Sequence, residues 1–308
     1  MTLIGSNAIT APRAALLALF LLVPACATDG GGHDEGDGAG DGDGSGGGGG
    51  DGDGDGDGDG DGDGDGGEGV TAFRITDLDI RDPHVFIDAV GCQDVTATLN
   101  DSLAANLSQD NGSPADPETP DGLLDFSALL LFSSANPAGE GGALEVLVGA
   151  DCSAPAESTT CSRGAALAIT GQASNQAASA CDVIMPGTTT GSYTPAPPVP
   201  EGPCFAAADT TGDLVLAPFV LTDAAVAASF DGDPATGLAS GVVRGFMSEA
   251  DAEATVVATP IGDRNVASLL PGGDGSCAAG DARDTGPGGE PGWYFYLEFT
   301  AAAVDYGE

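Results

Sequence analysis

Residues 27–69 contain no large apolar side chain, and this confines the folded part of the chain to residue 70 onward. The tract is dominated by Gly and Asp and includes the unbroken repeat DGDGDGDGDGDGDGDG at residues 51–66. Such a composition buries too little apolar surface to offset the entropy lost on ordering, and its dense like charge extends the chain. We therefore predict a disordered tether over residues 26–69 and a single folded domain over residues 70–308.

The segment that precedes this tract has the order of a secretory signal. Its polar start ends at Arg13, the apolar run AALLALFLLV comes next at residues 14–23, and small residues precede Cys26. A membrane-spanning helix needs roughly 20 apolar residues, and this run is much shorter. Residues 1–25 are therefore predicted to direct export and not to span a membrane.

Cys26 is the predicted site of lipid attachment. The residues VPAC, which end at Cys26, resemble the bacterial lipobox, in which a peptidase cuts before a cysteine that carries diacylglycerol. The resemblance implies a membrane-anchored lipoprotein, and Ala27 favours the outer membrane, on its surface or its periplasmic face. An alternative stays open: the ACA run at residues 25–27 also fits ordinary signal cleavage, which would release a soluble secreted protein.

The chain has a formal net charge of −41 and no lysine. Nucleic acid and anionic lipid are excluded as partners of the domain, because their phosphates would be repelled. Solubility in a salty medium explains the charge as well as cation binding does. A glycan or an envelope protein stays open as a partner.

Six cysteines remain for the domain whichever fate Cys26 has, and an even set in an exported chain indicates three disulfides. Cys152 with Cys161 and Cys181 with Cys204 are the plausible local pairs, although six cysteines allow other pairings. Cys92 is then left to reach Cys277.

Short apolar or alternating runs, separated by Gly, Pro, Asn and Asp, predict a mainly β domain with minor short helices. The spacing of the strands is typical of a β-sandwich or jelly roll. Predicted strands include residues 71–80 (TAFRITDLDI), 128–132 (ALLLF) and 213–221 (DLVLAPFVL). Helices are predicted after Ser248, where SEADAEA approximates a capping box, and over residues 265–270. In the last strand, one predicted core face consists of Trp293, Phe295, Leu297 and Phe299.

No complete catalytic motif occurs in the sequence. GxSxG and HExxH are absent, the lack of lysine excludes Schiff-base and Ser-Lys chemistry, and His84 is predicted to be structural. We therefore assign no catalytic residue. Two carboxylates could still form a secreted carbohydrate-active enzyme, which stays the alternative to a binding or structural module.

Two ligand sites are predicted. The segment DPETPDGLLD resembles the Asp-rich calcium loops of dockerin and thrombospondin-type repeats, and its carboxylates are Asp116, Glu118, Asp121 and Asp125. Calcium would steady the domain, and no cofactor is required. Tyr294 and Tyr296 lie on the other face of the last strand, where they are predicted to form a stacking platform for sugar rings.

Four segments, RDPHVFIDAVGCQDVT, VVRGFMSEADAEA, SLLPGGDGSC and GWYFYLEF, together resemble a group of uncharacterised envelope lipoproteins of myxobacteria. The resemblance covers most of residues 73–300. It implies an envelope lipoprotein with a disulfide-bonded, β-rich domain and implies no activity. We therefore expect a surface-displayed binding or structural module that calcium would steady.

Overall fold

A computed structural model describes residues 69–112, 119–134, 136–189, 194–216 and 218–307. The predicted signal, Cys26 and almost all of the tether lie outside the described residues, as do Asp116 and Glu118. Within the part that is described, no helix has the length and apolar character needed to cross a membrane.

Eight strands form one sheet that closes on itself. They are β1 (Thr71–Asp82), β2 (Ala128–Phe132), β3 (Gly142–Val148), β4 (Leu167–Gln176), β5 (Cys204–Ala207), β6 (Phe219–Asp231), β7 (Gly237–Ser248) and β8 (Pro291–Gly307). Each strand pairs antiparallel with the next along the chain, and β8 pairs antiparallel with β1. The mainly β prediction is confirmed, with one closed ring of strands in place of two stacked sheets.

Short segments complete the fold around this ring. Three helices are present among the described residues: α1 (Thr96–Asn106), α2 (Pro137–Glu140) and α3 (Glu249–Ala254). Two 3₁₀ turns cover Ala156–Ser158 and Ala267–Leu269. The minor strands are Phe86–Asp88 with Cys92–Asp94, Asp151–Cys152 with Thr160–Ser162, Val256–Val257 with Arg264–Asn265, Leu214–Leu216 beside β6, and Asp284–Thr285 beside β8.

The predicted helix after Ser248 is confirmed as α3, whose first turn is capped by the Ser248 hydroxyl accepting the Asp251 N–H. The predicted helix at residues 265–270 is the 3₁₀ turn Ala267–Leu269. The Asn265 side chain accepts the Ser268 N–H there. In both elements, the side chain of a residue just before the first turn accepts a backbone N–H that a helix leaves free.

Alternate residues of the strands point into the ring and form the core. Four phenylalanines, Phe73, Phe132, Phe205 and Phe230, pack there with ring centroids 5.0 to 6.5 Å apart. The predicted inward face of β8 joins the same core: Trp293, Phe295, Leu297 and Phe299 are all buried. A closed sheet of eight strands has an interior just wide enough for side chains to fill.

Two outer faces of the sheet are also buried, each beneath a segment closed by a disulfide. The Cys152–Cys161 hairpin packs on Leu129, Leu131 and Leu147. The Cys181–Cys204 segment packs on the outer face of β6, β7 and β8. The third bridge, Cys92–Cys277, joins the segment before α1 to the loop before β8. The three predicted disulfide pairings are therefore confirmed.

Candidate functional site

The closed sheet has two different ends. The described chain enters the sheet at Thr71, where β1 is paired with Phe132 at the end of β2. β2 is short and pairs with β1 only as far as Arg74, so α1 lies beside the remaining half of β1. The Asn100 side chain accepts the Ile80 N–H at 2.8 Å and donates to the Ile80 carbonyl at 3.1 Å. This amide takes the place of the strand partner that β2 does not provide.

A pocket lies between α1 and the start of β6, at the end of the sheet opposite Thr71. Its volume is about 60 Å³. Asn106 is the only polar side chain among the described residues that line it. The other lining residues are Leu78, Ile80, Leu99, Leu103, Phe126, Leu216, Pro218, Phe219, Leu221, Phe295 and Leu297. The site is therefore suited to apolar groups and offers almost no hydrogen bonds.

Helix α1 forms one wall of this pocket and is fixed at both ends. Leu99 and Leu103 are four residues apart and so share one face of the helix. At the start, Asp94 Oδ1 accepts the Thr96 N–H at 3.0 Å, and Thr96 Oγ1 accepts the Val85 N–H. At the end, Arg74 Nη1 donates to the Leu107 carbonyl at 2.9 Å. A wall held in this way keeps a binding site preformed.

The outer surface beside α1 and β1 is acidic. Burial, reinforced by the charges of Asp77, Glu298 and Asp101 and opposed by Arg81, raises the pKa of Asp79. Arg81 follows the lining residue Ile80, but it is engaged by Asp79 at 2.9 Å and by Glu298 at 2.7 Å. The pocket therefore lies close to negative charge and to a guanidinium that is already neutralised.

Tyr294 and Tyr296 are 2% and 0% exposed, so their predicted exposure on the surface is wrong. The segment that begins at Cys181 covers them: Tyr296 Oη accepts the Met185 N–H at 3.0 Å. Tyr294 Oη donates to Asp223 Oδ2 at 3.0 Å. Burial and this bond to Asp223 raise the pKa of Tyr294 to about 12. Their rings are thus structural parts of an outer core and cannot stack on a sugar.

The described part of the predicted calcium loop uses its carboxylates internally. Asp121 Oδ1 accepts the Leu123 N–H, and the two oxygens of Asp125 accept the backbone and side-chain N–H groups of Asn111. Within the described ranges, no group of three or more His, Cys, Asp and Glu residues is placed to hold a metal ion. Asp116 and Glu118 lie outside those ranges, so calcium binding stays a prediction.

A half-buried carboxyl, Asp284, lines an open groove of about 650 Å³ beside the Cys92–Cys277 bridge. Asp284 Oδ2 accepts the Tyr294 N–H at 2.8 Å. Burial, together with the charge of Asp82, raises the pKa of Asp284 to about 6, although this hydrogen bond acts to lower it. A carboxyl shifted in this direction within a cleft is one mark of a functional acid. Asp284 was not singled out in the sequence. His84, which was predicted to be structural, pairs with Asp94 at 2.6 Å.

We expect Asp284→Asn to stabilise the domain near pH 8 and to leave its stability unchanged near pH 4. The pKa of Asp284 in the folded domain, about 6, lies above the value of about 3.9 for an unfolded aspartate. Ionisation therefore opposes folding, and the penalty grows between these two pKa values and is complete above pH 6. Because the carboxyl is partly exposed, we expect a gain of only about 1–2 kcal/mol. Asparagine keeps the acceptor for the Tyr294 N–H.

Thermal melts of both proteins at the two pH values test this prediction. Asp281→Asn is the matched control, because Asp281 is an exposed aspartate of the same loop that is bonded to Arg283. It should not stabilise the domain at either pH. An equal gain for Asp284→Asn at both pH values would show that its charge is not the cause.

Comparison of the chain with protein-family models, with curated protein sequences and with solved structures gave no match.

Proposed function

We propose that the chain is a binding module of the bacterial envelope that takes a small apolar molecule in the pocket beside α1. The observation that carries this proposal is the lining, in which apolar side chains from β1, α1, β6 and β8 surround a cavity next to a closely packed core. Ligand sites are typically concave, mostly apolar and largely preformed. Removing apolar ligand surface from water would supply the binding free energy.

The proposed location is the outer membrane, with a lipid on Cys26 and residues 27–69 as the tether. The three disulfides support export, because such bonds persist in oxidising compartments. The chain enters the sheet at Thr71, at the end opposite the pocket. Intact-mass analysis of the native protein tests the anchor, and an unlipidated mass beginning at Thr28 would reject it.

Binding is tested by thermal melts of the full chain with hexanol, cyclohexane and benzene as probes. We expect at least one probe to raise the midpoint, since a ligand at about 100 times its Kd stabilises a fold by roughly 2.7 kcal/mol. Leu103→Trp should abolish the shift by filling the pocket. The control is Val256→Trp, which places the same ring at a position where the native side chain is 60% exposed. This variant should still show the shift in the midpoint. No shift with any probe, or an equal shift in Leu103→Trp, would contradict the proposal.

One observation favours a second function, glycoside hydrolysis by paired carboxylates. Asp284 lines the groove beside Cys92–Cys277 and has a raised pKa, to which the negative charge of Asp82 contributes. Glycosidases use two such acids with different pKa values. The test is the release of reducing ends from envelope polysaccharide by the native chain and by Asp284→Asn. No release by the native chain would exclude this function.

Stabilisation by calcium through Asp116, Glu118, Asp121 and Asp125 stays part of the proposal and is tested separately. Thermal melts with and without a chelator should differ in midpoint if the loop binds the ion in the folded state. An unchanged midpoint would contradict calcium binding and would leave the apolar site unaffected.

A further inference from the structure

We infer that the occupant of the pocket is the end of a linear alkyl chain that carries an uncharged head group. The inference rests on the proposed function and specifies the chemical class of ligand for that same site. Three features of the site support it: the size of the cavity, the composition of its walls, and the charge of the surface beside it.

The size of the pocket selects the shape of the ligand. For comparison, an engineered cavity lined by Leu, Ile and Phe that binds benzene has about 150 Å³. The pocket beside α1 has about 60 Å³, which is less than half of that volume. A ring would have to displace the walls, whereas the last few carbons of a slender chain would not. The rest of the chain would leave through the opening between α1 and β6.

The walls of the pocket favour a ligand whose inserted end carries no polar atoms. Ile80 and Leu297 are buried at the floor, and Leu103 and Phe219 are only partly buried. A hydroxyl or carboxylate at the floor would lose its hydrogen bonds to water without replacement. Each methylene transferred from water to such a site contributes about fourfold in affinity.

The charge near the pocket selects the head group. No cationic side chain is found among the described residues that line it, and Arg81 is held by two carboxylates. Asp77, Asp79 and Asp101 add negative charge on β1 and α1. A fatty-acid carboxylate would be repelled there.

The experiment is a calorimetric titration of the full chain near pH 8 with hexanol, octanol, octanoate and benzene. We expect octanol and hexanol to bind within about fourfold of each other, since the pocket holds only the end of the chain and the two added methylenes stay largely outside it. Octanoate should bind at least tenfold more weakly than octanol. Benzene should give no measurable heat. Leu103→Trp and, from the opposite wall, Leu216→Trp should each abolish octanol binding, so that a folding defect in one variant leaves the other as a test.

Each contrary outcome has a separate meaning. Binding of benzene without octanol would overturn the alkyl-chain inference and leave the proposed function intact. Equal binding of octanol and octanoate would overturn the choice of an uncharged head group. Octanol binding that survives in a folded Leu103→Trp or Leu216→Trp variant would place the ligand elsewhere and overturn the inference. Failure of every ligand to bind would overturn the proposed function together with it.

Discussion

Replacing Phe132 by alanine is expected to lower the free energy of unfolding by about 3–5 kcal/mol. Phe132 is fully buried inside the closed sheet, at the end of β2. Its ring centroid lies 5.0 Å from that of Phe205 and 5.9 Å from those of Phe73 and Phe230. Loss of the ring removes apolar surface that was buried and also leaves a cavity, because the paired strands around it cannot collapse inward.

Urea denaturation of Phe132→Ala beside the native chain measures this effect. Val256→Ala is the control, because its side chain is largely exposed and such substitutions usually change stability by no more than about 0.5 kcal/mol. A loss below about 1 kcal/mol for Phe132→Ala would mean that the four phenylalanines do not form the core of the closed sheet.

Removal of the Cys92–Cys277 bridge is expected to destabilise the domain by about 5 kcal/mol, which is the largest effect predicted for any of the three disulfides. The two cysteines are separated by 185 residues, whereas Cys152 and Cys161 are separated by 9. In the chain-entropy account, a bridge stabilises by restricting the unfolded chain, and the effect grows with the loop that it closes. Removal of Cys152–Cys161 should therefore cost only about 2.5 kcal/mol.

Two double variants, Cys92→Ser with Cys277→Ser and Cys152→Ser with Cys161→Ser, compare the two bridges directly by urea denaturation. The larger loss is expected for the first pair. It should also weaken binding in the pocket, since Cys92 lies in the segment that leads into α1. Equal losses, or a larger loss for the second pair, would contradict the entropic explanation.

The sequence predicted the elements whose signal is local. Alternation along the last strand correctly placed Trp293, Phe295, Leu297 and Phe299 in the core, since successive residues of a strand point to opposite faces. The even number of cysteines, in a chain that we predict to be exported, led to the observed bridges. Closure of the sheet could not be predicted from the sequence, because it depends on β1 pairing with β8 at the far end of the chain.

The sequence analysis missed one helix and treated two strands as one. Helix α1 was not predicted, because its sequence TATLNDSLAAN is rich in Thr, Asn, Asp and Ser, which are weak helix formers. Its one signal was the spacing of Leu99, Leu103 and Leu107, which recur every four residues. The predicted strand at residues 213–221 is in fact two paired segments, with Pro218 at the turn between them. Proline seldom occurs inside a paired strand.

The candidate site depends on contacts that periodicity does not encode. The pocket exists because β2 is short and α1 takes its place beside β1. Tyr294 and Tyr296 were correctly placed opposite the core face, but a disulfide-closed segment buries them. Which side of a strand a residue occupies was therefore predictable, whereas the segment that covers that side was not.

The position of a bromine atom tests the central claim most directly. Crystals of the protein grown with a terminally brominated octanol would show the chain end by its anomalous scattering. We predict a bromine peak in the pocket, between Leu103 of α1 and Phe295 of β8. A peak elsewhere, with the pocket left closed by its own side chains, would contradict the assignment of this site as the place where the protein binds its ligand.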